Sequence, residues 1–308
     1  AGGFVGYSQS KSGENGSTLT VENCVNNGSV TIDVSRELAG LAGGIVGRYG
    51  GDDGSYNATS NVIIKNCLNT GAVTGTSQTA GILAHGRSSN VIIENCTNKG
   101  TIISTYTAAN GGTSDAAGIF GSTAGSGGHY CMVIVSKCVN EGDVTSKNNR
   151  AAGIVAYVWC GGQNDNYPHA EITDCVNKGN ISGGSFVSQM LAYTNDTKAM
   201  AEGEKQVTTI KGIGTGTVAR SSEASRDADK TYLSFVGCSS ASPERTTNYN
   251  IDVKLADSDK TVWYAYAEPT TDHPEYVDNQ VKIANKPDGL QFVTAAEAEA
   301  AARALGEI

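Results

Sequence analysis

Five cysteines share one local context: Cys24, Cys67, Cys96, Cys138 and Cys175 each open the pattern C-x-N-x-G. Thiols serve as nucleophiles, metal ligands or disulfide partners, so their spacing is the first test for chemistry. No two of them form a Cys-x-x-Cys pair. The four histidines, His85, His129, His169 and His273, lie far apart, with no H-x-H or HExxH grouping to complete a zinc site. No G-x-S-x-G elbow offers an activated serine. Cleavage of a glycosidic bond needs two carboxyl groups on one face. Asp174 precedes Cys175, but the matching positions before the other cysteines hold Asn23, Asn66, Asn95 and Lys137, so no carboxyl pair recurs in register. Asp52 and Asp53 sit in a glycine-rich turn, and Asp257 and Asp259 in a polar stretch, where solvated turns account for them. Neither a metal nor an organic cofactor is implied.

The elements that carry these residues form a repeat. The cysteines follow one another at intervals of 43, 29, 42 and 37 residues, each preceded by an apolar segment such as "NVIIKNC" or "NVIIENC". After a spacer comes a second motif: "AGGIVG" at 42–47, "AGILAHG" at 80–86, "AGIFG" at 117–121 and "AGIVA" at 152–156. A sixth, degraded unit, "VTTIKGIGTGTV" at 207–218, puts Gly212 at the cysteine position and Gly216 at the glycine position. With three short strand candidates per unit and no apolar period of 3.6, the pattern predicts an all-β fold, a β-solenoid or parallel β-helix, with a right-handed coil as the expectation. Stacked coils lie about 4.8 Å apart, so each position meets its own counterpart above and below. Asn26, Asn69, Asn98, Asn140 and Asn177 are then expected to form an amide ladder, and the five cysteines an inward column of unbonded thiols. Gly28, Gly71, Gly100, Gly142 and Gly179 are expected to supply positive φ at the bend.

The alternation of "NCxNxG" with "AGGIVG" units over residues 1–217 resembles the GLUG-type repeats of secreted and cell-surface bacterial proteins. The resemblance implies a solenoid stalk of the kind found in adhesins and in large surface proteins, including some immunoglobulin A peptidases. It carries no reaction, because peptidase chemistry in such proteins belongs to a separate HExxH domain, a signature that this sequence lacks.

Composition narrows the setting. Glycine is 39 of 308 residues, well above the usual share of about 7%, as many tight turns require. A net charge of −9 with no basic run argues against nucleic acid as a partner, and no apolar stretch of about 18 residues argues for membrane insertion. The opening "AGGFVG" matches "AGGIVG", so the chain starts within a repeat; the expectation is a segment of a longer exported protein, extracellular or at the cell surface. Beyond residue 217 only three glycines remain, and four of the five prolines appear. Residues 218–308 are expected to hold a last coil, strands at "NIDVKLA" and "KTVWYAYA", and a helix over 294–305 capped by Thr294 and Glu297, together covering the open sheet edge.

Two further cysteines, Cys131 and Cys160, follow the "AGIFG" and "AGIVA" motifs of successive units and are candidates for one disulfide between neighbouring spacers. The same spacers hold Tyr130, Tyr157, Trp159, Tyr167 and His169, either as caps over the core or as a face that stacks sugars or engages a protein. The functional expectation is a non-catalytic surface segment that binds a host glycan or host protein in adhesion. The alternatives are a passive stalk of a multidomain enzyme and a β-helical polysaccharide lyase or glycoside hydrolase.

Overall fold

A strand such as Asn61–Lys65 alternates between β-branched residues that point inward and residues that face solvent: Val62 and Ile64 are buried, while Asn61, Ile63 and Lys65 are half-exposed. The computed structural model describes residues 1–8, 17–32, 40–50, 60–87, 89–106, 114–123, 132–160, 169–184, 186–196 and 206–220, with strand segments at 247–255, 261–262, 268–269, 277–278 and 282–283. All the elements among the described residues are β-strands. Within residues 1–220 every pairing joins one coil to the next in parallel, which defines a β-solenoid.

One complete coil runs through five strands rather than three. Asn61–Lys65 forms the first face, a turn at Asn66 and Cys67 leads to the short strand Leu68–Asn69, and Val73–Gly75 forms the second face. Gln78–Ala80 forms the third face and Leu83–Arg87 the fourth. Two cores result. The larger lies between the first and fourth faces and stacks Val62, Val91 and Val133 against Leu83, Phe120 and Val155. The smaller lies between the second and third faces and stacks Val73, Ile102, Val144 and Ile181 against Ala42, Ala116, Ala151 and Val187.

Expected ladder positions meet in register. Asn26, Asn69, Asn98 and Asn140 each donate from Nδ2 to Oδ1 of the Asn one coil on, at 2.8, 2.8, 2.8 and 2.7 Å. The same Nδ2 groups also donate to the carbonyl two residues ahead, Gly28, Gly71, Gly100 and Gly142. Both amide protons are therefore used inside a buried column, which satisfies groups that would otherwise be costly to bury.

The glycines have a different reason from the expected one. None of Gly28, Gly71, Gly100, Gly142 and Gly179 has a left-handed backbone; that conformation falls on Asn23, Asn66, Asn95, Lys137 and Asp174, with φ of 52–56°. Glycine is required by stacking instead. A Cβ on Gly71, Gly100, Gly142 or Gly179 would lie 1.9–2.1 Å from the carbonyl oxygen of the glycine one coil earlier. The second motif has a matching reason: a Cβ on Gly44, Gly81, Gly118 or Gly153 would lie 2.2–2.5 Å from the side chain of Asn69, Asn98, Asn140 or Asn177. The glycine before the Ile of each second motif thus makes room for the ladder Asn, and the two motifs are halves of one contact.

The sixth coil tests that relation. Gly214 pairs with Asn177 where an Asn would continue the ladder, and the matching motif glycine is replaced by Gln189. The Gln189 side chain fills the vacated space beside Gly214, accepts from Asn177 Nδ2 and donates to the carbonyl of Gly216, which are the two bonds a sixth Asn would make. Beyond it, Thr247–Leu255 adds a further parallel strand to the first face, on Gln206–Gly214. The expected coil near 232–237 and the helix over 294–305 lie outside the described residues, as does most of "KTVWYAYA".

Gln189→Gly should cost about 1–3 kcal/mol by leaving buried amide and carbonyl groups unpaired. Adding Gly214→Asn should recover most of the loss by restoring the arrangement of the other coils. Urea denaturation of the parent, both single variants and the double variant measures the coupling; additive effects would refute the paired role.

Candidate functional site

The described structure distributes the residues singled out in the sequence between an interior column and one edge of the coil. Cys67, Cys96, Cys138 and Cys175 are buried, Cys24 is half-exposed, and all five are free thiols. Each buried thiol donates to the carbonyl two residues back, at 3.2–3.4 Å, on Lys65, Glu94, Ser136 and Thr173. Backbone N–H groups of Cys67 and Cys96 point at the sulfurs of Cys96 and Cys138, at 3.4 and 3.5 Å. Hydrogen bonding to the Cys96 sulfur, followed by burial, pushes the Cys67 thiol up, and burial pushes the Cys138 thiol up. Cys67 and Cys138 are thus held as buried thiols, the opposite of an accessible, reactive thiolate.

Of the aromatic group, Tyr157 is buried at 9% exposure, which removes it from any exposed binding face. Trp159 lies in the strand Val155–Cys160, paired with Asn195, and His169 begins the strand His169–Asn177, paired with Met132. The side chains of Trp159, Cys160 and His169, together with Tyr130, Cys131 and Tyr167, lie outside the described residues, and with them the proposed Cys131–Cys160 disulfide.

Tyr157 is buried because it belongs to a polar seam between the third and fourth faces. Gln78, Asp115, Arg150 and Phe186 stack in register along the third face. Arg48, His85, Ser122, Tyr157 and Tyr193 stack along the fourth. Where the columns meet, Arg150 Nε donates to Asp115 Oδ1 at 2.7 Å, with side-chain exposures of 7% and 0%. The guanidinium carbon sits 3.7 Å from the centre of the Tyr157 ring and 4.9 Å from that of Tyr193. Tyr193 packs edge-on against Tyr157 and Phe186, with ring centres 5.2 and 4.6 Å away.

Burial pushes the Asp115 carboxyl up, more than the charge of Arg150 and the approach of Gln78 pull it down. Burial also works against the Arg150 charge, but Asp115 and the two tyrosines outweigh it and leave the guanidinium firmly protonated. With its Nε on a carboxylate and a ring over its face, Arg150 is committed to internal contacts. Asp115, fully enclosed, offers no oxygen to a solvent-borne substrate. The seam therefore fastens two faces together. Among the described residues no group of three His, Cys, Asp or Glu side chains converges to hold a metal ion.

Asp115 and Arg150 were not recognisable beforehand. They are 35 residues apart and each precedes an "AAG" segment. Their common offset from that motif is the signal that would have paired them.

No protein-family model matches the chain, and no curated protein sequence matches it. Among solved structures, one described as a "putative immunoglobulin A1 protease from Bacteroides ovatus" is similar at 17% identity and a TM-score of 0.41, over 88% of this chain. The chain spans 63% of the length of that protein.

Thiol reagents added to the native protein should modify Cys24 and leave Cys67, Cys96, Cys138 and Cys175 intact until denaturant is added; peptide mapping after labelling would reveal any early reaction of the four. Arg150→Ala should cost about 3–5 kcal/mol at neutral pH, because it leaves a buried carboxylate without its counter-ion. An acid whose folded pKa is raised holds its proton more tightly in the native state. Its contribution is most favourable below the unfolded value of about 3.9 and declines as pH rises through the folded one. The deficit of Arg150→Ala should accordingly shrink toward pH 4, and an equal deficit at pH 4 and pH 8 would refute the assignment.

Proposed function

We propose that the chain is an extracellular, non-catalytic segment of a bacterial surface protein that binds a host glycan or host protein in adhesion. The observation that carries this reading is where the variable segments attach. The fourth-face strands ending at Ser8, Gly50, Arg87, Ser122, Cys160 and Asp196 are stacked in neighbouring order, and so are the first-face strands starting at Thr18, Asn61, Asn90, Met132, His169 and Gln206. All six connecting segments therefore leave and re-enter the coil along one edge. They contain Tyr56, His129, Tyr130 and Tyr167, with Trp159 and His169 at the anchoring strand ends. A stack that anchors diverse segments at neighbouring strand ends suits multivalent recognition, in which aromatic contacts of about 1 kcal/mol each add up. The resemblance of the repeats to GLUG-type surface proteins supports the extracellular setting.

The proposal is tested on a glycan array and with a panel of purified host surface proteins. The comparison is with a variant whose residues 124–130 and 161–167 are replaced by Gly-Ser sequence of equal length. The parent should bind at least one probe, and the variant should lose about tenfold or more, corresponding to about 1.4 kcal/mol, with little change in thermal midpoint. No binding by the parent would favour a passive stalk, and release of sugar from a bound glycan would favour the hydrolase or lyase alternative.

A further inference from the structure

From the second coil to the sixth, the residue between the Cys and Asn positions of the repeat faces away from both cores. It is apolar or β-branched each time: Leu68, Thr97, Val139, Val176 and Ile213 stand in register across five coils. Ile213 is 38% exposed and the other four are half-buried. An apolar column with charged residues on both sides has the composition of a protein interface, a dry centre inside a polar rim.

The rim indicates the partner. One flank of the column carries Glu94, Lys137 and Asp174, in the coils of Cys96, Cys138 and Cys175, and the other carries Lys99, Glu141 and Lys178 in the same three coils. Ion pairs run from coil to coil along each flank, Lys65 and Lys137 to Glu94 on one and Lys99 and Lys178 to Glu141 on the other. Such alternation works equally well in either phase. Yet all three coils bear opposite signs across the column, an arrangement that the pairs along the flanks do not require. Lys99, Lys137 and Lys178 keep side-chain exposures of 51, 61 and 53%, and an ammonium group has three donors, so each can take a further partner.

We propose that this strip is a lateral docking site for a second copy of the chain, lying parallel and in register about a two-fold axis along the stack. That operation sets the apolar column against its own counterpart and exchanges the flanks. Glu94 then faces the partner's Lys99, Lys137 faces the partner's Glu141 and Asp174 faces the partner's Lys178, each contact occurring twice. No like charges meet. Antiparallel copies fit less well. Centred on the coil of Cys138, they set Glu94 on the partner's Asp174 and Lys99 on the partner's Lys178. Centred between two coils, they leave Lys99 or Lys178 opposite a threonine, Thr70 or Thr215. A strip this narrow lies at the small end of protein interfaces, so the pairing is transient and a covalent trap detects it best.

The trap is a cysteine at the most exposed position of the strip. Ile213→Cys in the full chain, oxidised with copper phenanthroline, should give a disulfide-linked dimer that peptide mapping assigns to residue 213, because the two-fold axis places that position beside itself. Thr101→Cys, exposed beyond the Lys99 flank, should give about tenfold less dimer. Glu141→Lys in the Ile213→Cys chain should cut the yield about fivefold or more, since like charges then meet across the axis, and adding Lys137→Glu should restore it. A role confined to the single chain gives the opposite pattern. Both substitutions break its own ion pairs with Glu94, Lys99 and Lys178, so the urea midpoint should fall at least as far in the double variant as in either single one. A dimer yield from Ile213→Cys no higher than from Thr101→Cys would overturn the proposal, and antiparallel association would produce that result. So would a yield that Glu141→Lys leaves unchanged or that Lys137→Glu fails to restore.

Discussion

The structure depends on a spacing: parallel coils about 4.8 Å apart bring every residue against its own counterpart, so the C-x-N-x-G positions recur with side chains that tolerate their own kind. An asparagine does so because its amide is both donor and acceptor, and it has a second proton left for its own turn. A glycine does so because the carbonyl stacked on it leaves no room for anything larger. A thiol does so because it is small, apolar and able to donate weakly to a nearby carbonyl. The three residues of the C-x-N-x-G motif are three answers to the same constraint, at an apolar corner, a polar bend and a close backbone crossing.

Charged residues follow the opposite rule, since like charges in register repel. On the outside of the cysteine corner, Glu94 lies between Lys65 and Lys137, each at 3.3 Å, and Glu141 lies between Lys99 and Lys178 at 3.2 and 3.1 Å. Lys137 and Lys65 hold the Glu94 carboxyl below its ordinary value, and Lys178 and Lys99 do the same for Glu141. Exposed pairs of this kind add little stability. Their alternation still matters, because skipping the coil of Glu141 in folding would set Lys99 on Lys178.

Much of this was legible in the sequence because repetition amplifies it. The five-fold C-x-N-x-G pattern announced the coil, and even Gly212 of the degraded unit pairs with Cys175 as its alignment required. Other features were hidden for physical reasons. Stacking glycines look the same in sequence as positive-φ glycines, and the true left-handed position holds Lys137 and Asp174 as well as asparagines, so residue type concealed it. Gln189 interrupts a motif and reads as decay, although it completes the ladder from a different strand. Tyr157 reads equally as a cap over the core or as a surface aromatic beside Trp159, and residue type does not choose between them. Tyr157 packs against the buried Arg150, whose charge is held there by Asp115 one coil away together with Tyr157 and Tyr193.

The direction of the backbone bonds has a mechanical consequence. Coil-to-coil hydrogen bonds run along the axis of the stack, so tension applied between its two ends loads them one coil at a time, in the manner of a zipper, and not all together in shear. A coil that lets go releases the length of its chain: the 37 residues between Cys138 and Cys175 correspond to about 120 Å of extended polypeptide. Such a stack yields stepwise under load, lengthening greatly at modest force while the coils that remain keep their shape. Buried fasteners such as the Arg150–Asp115 pair would decide which coil is the last to give way.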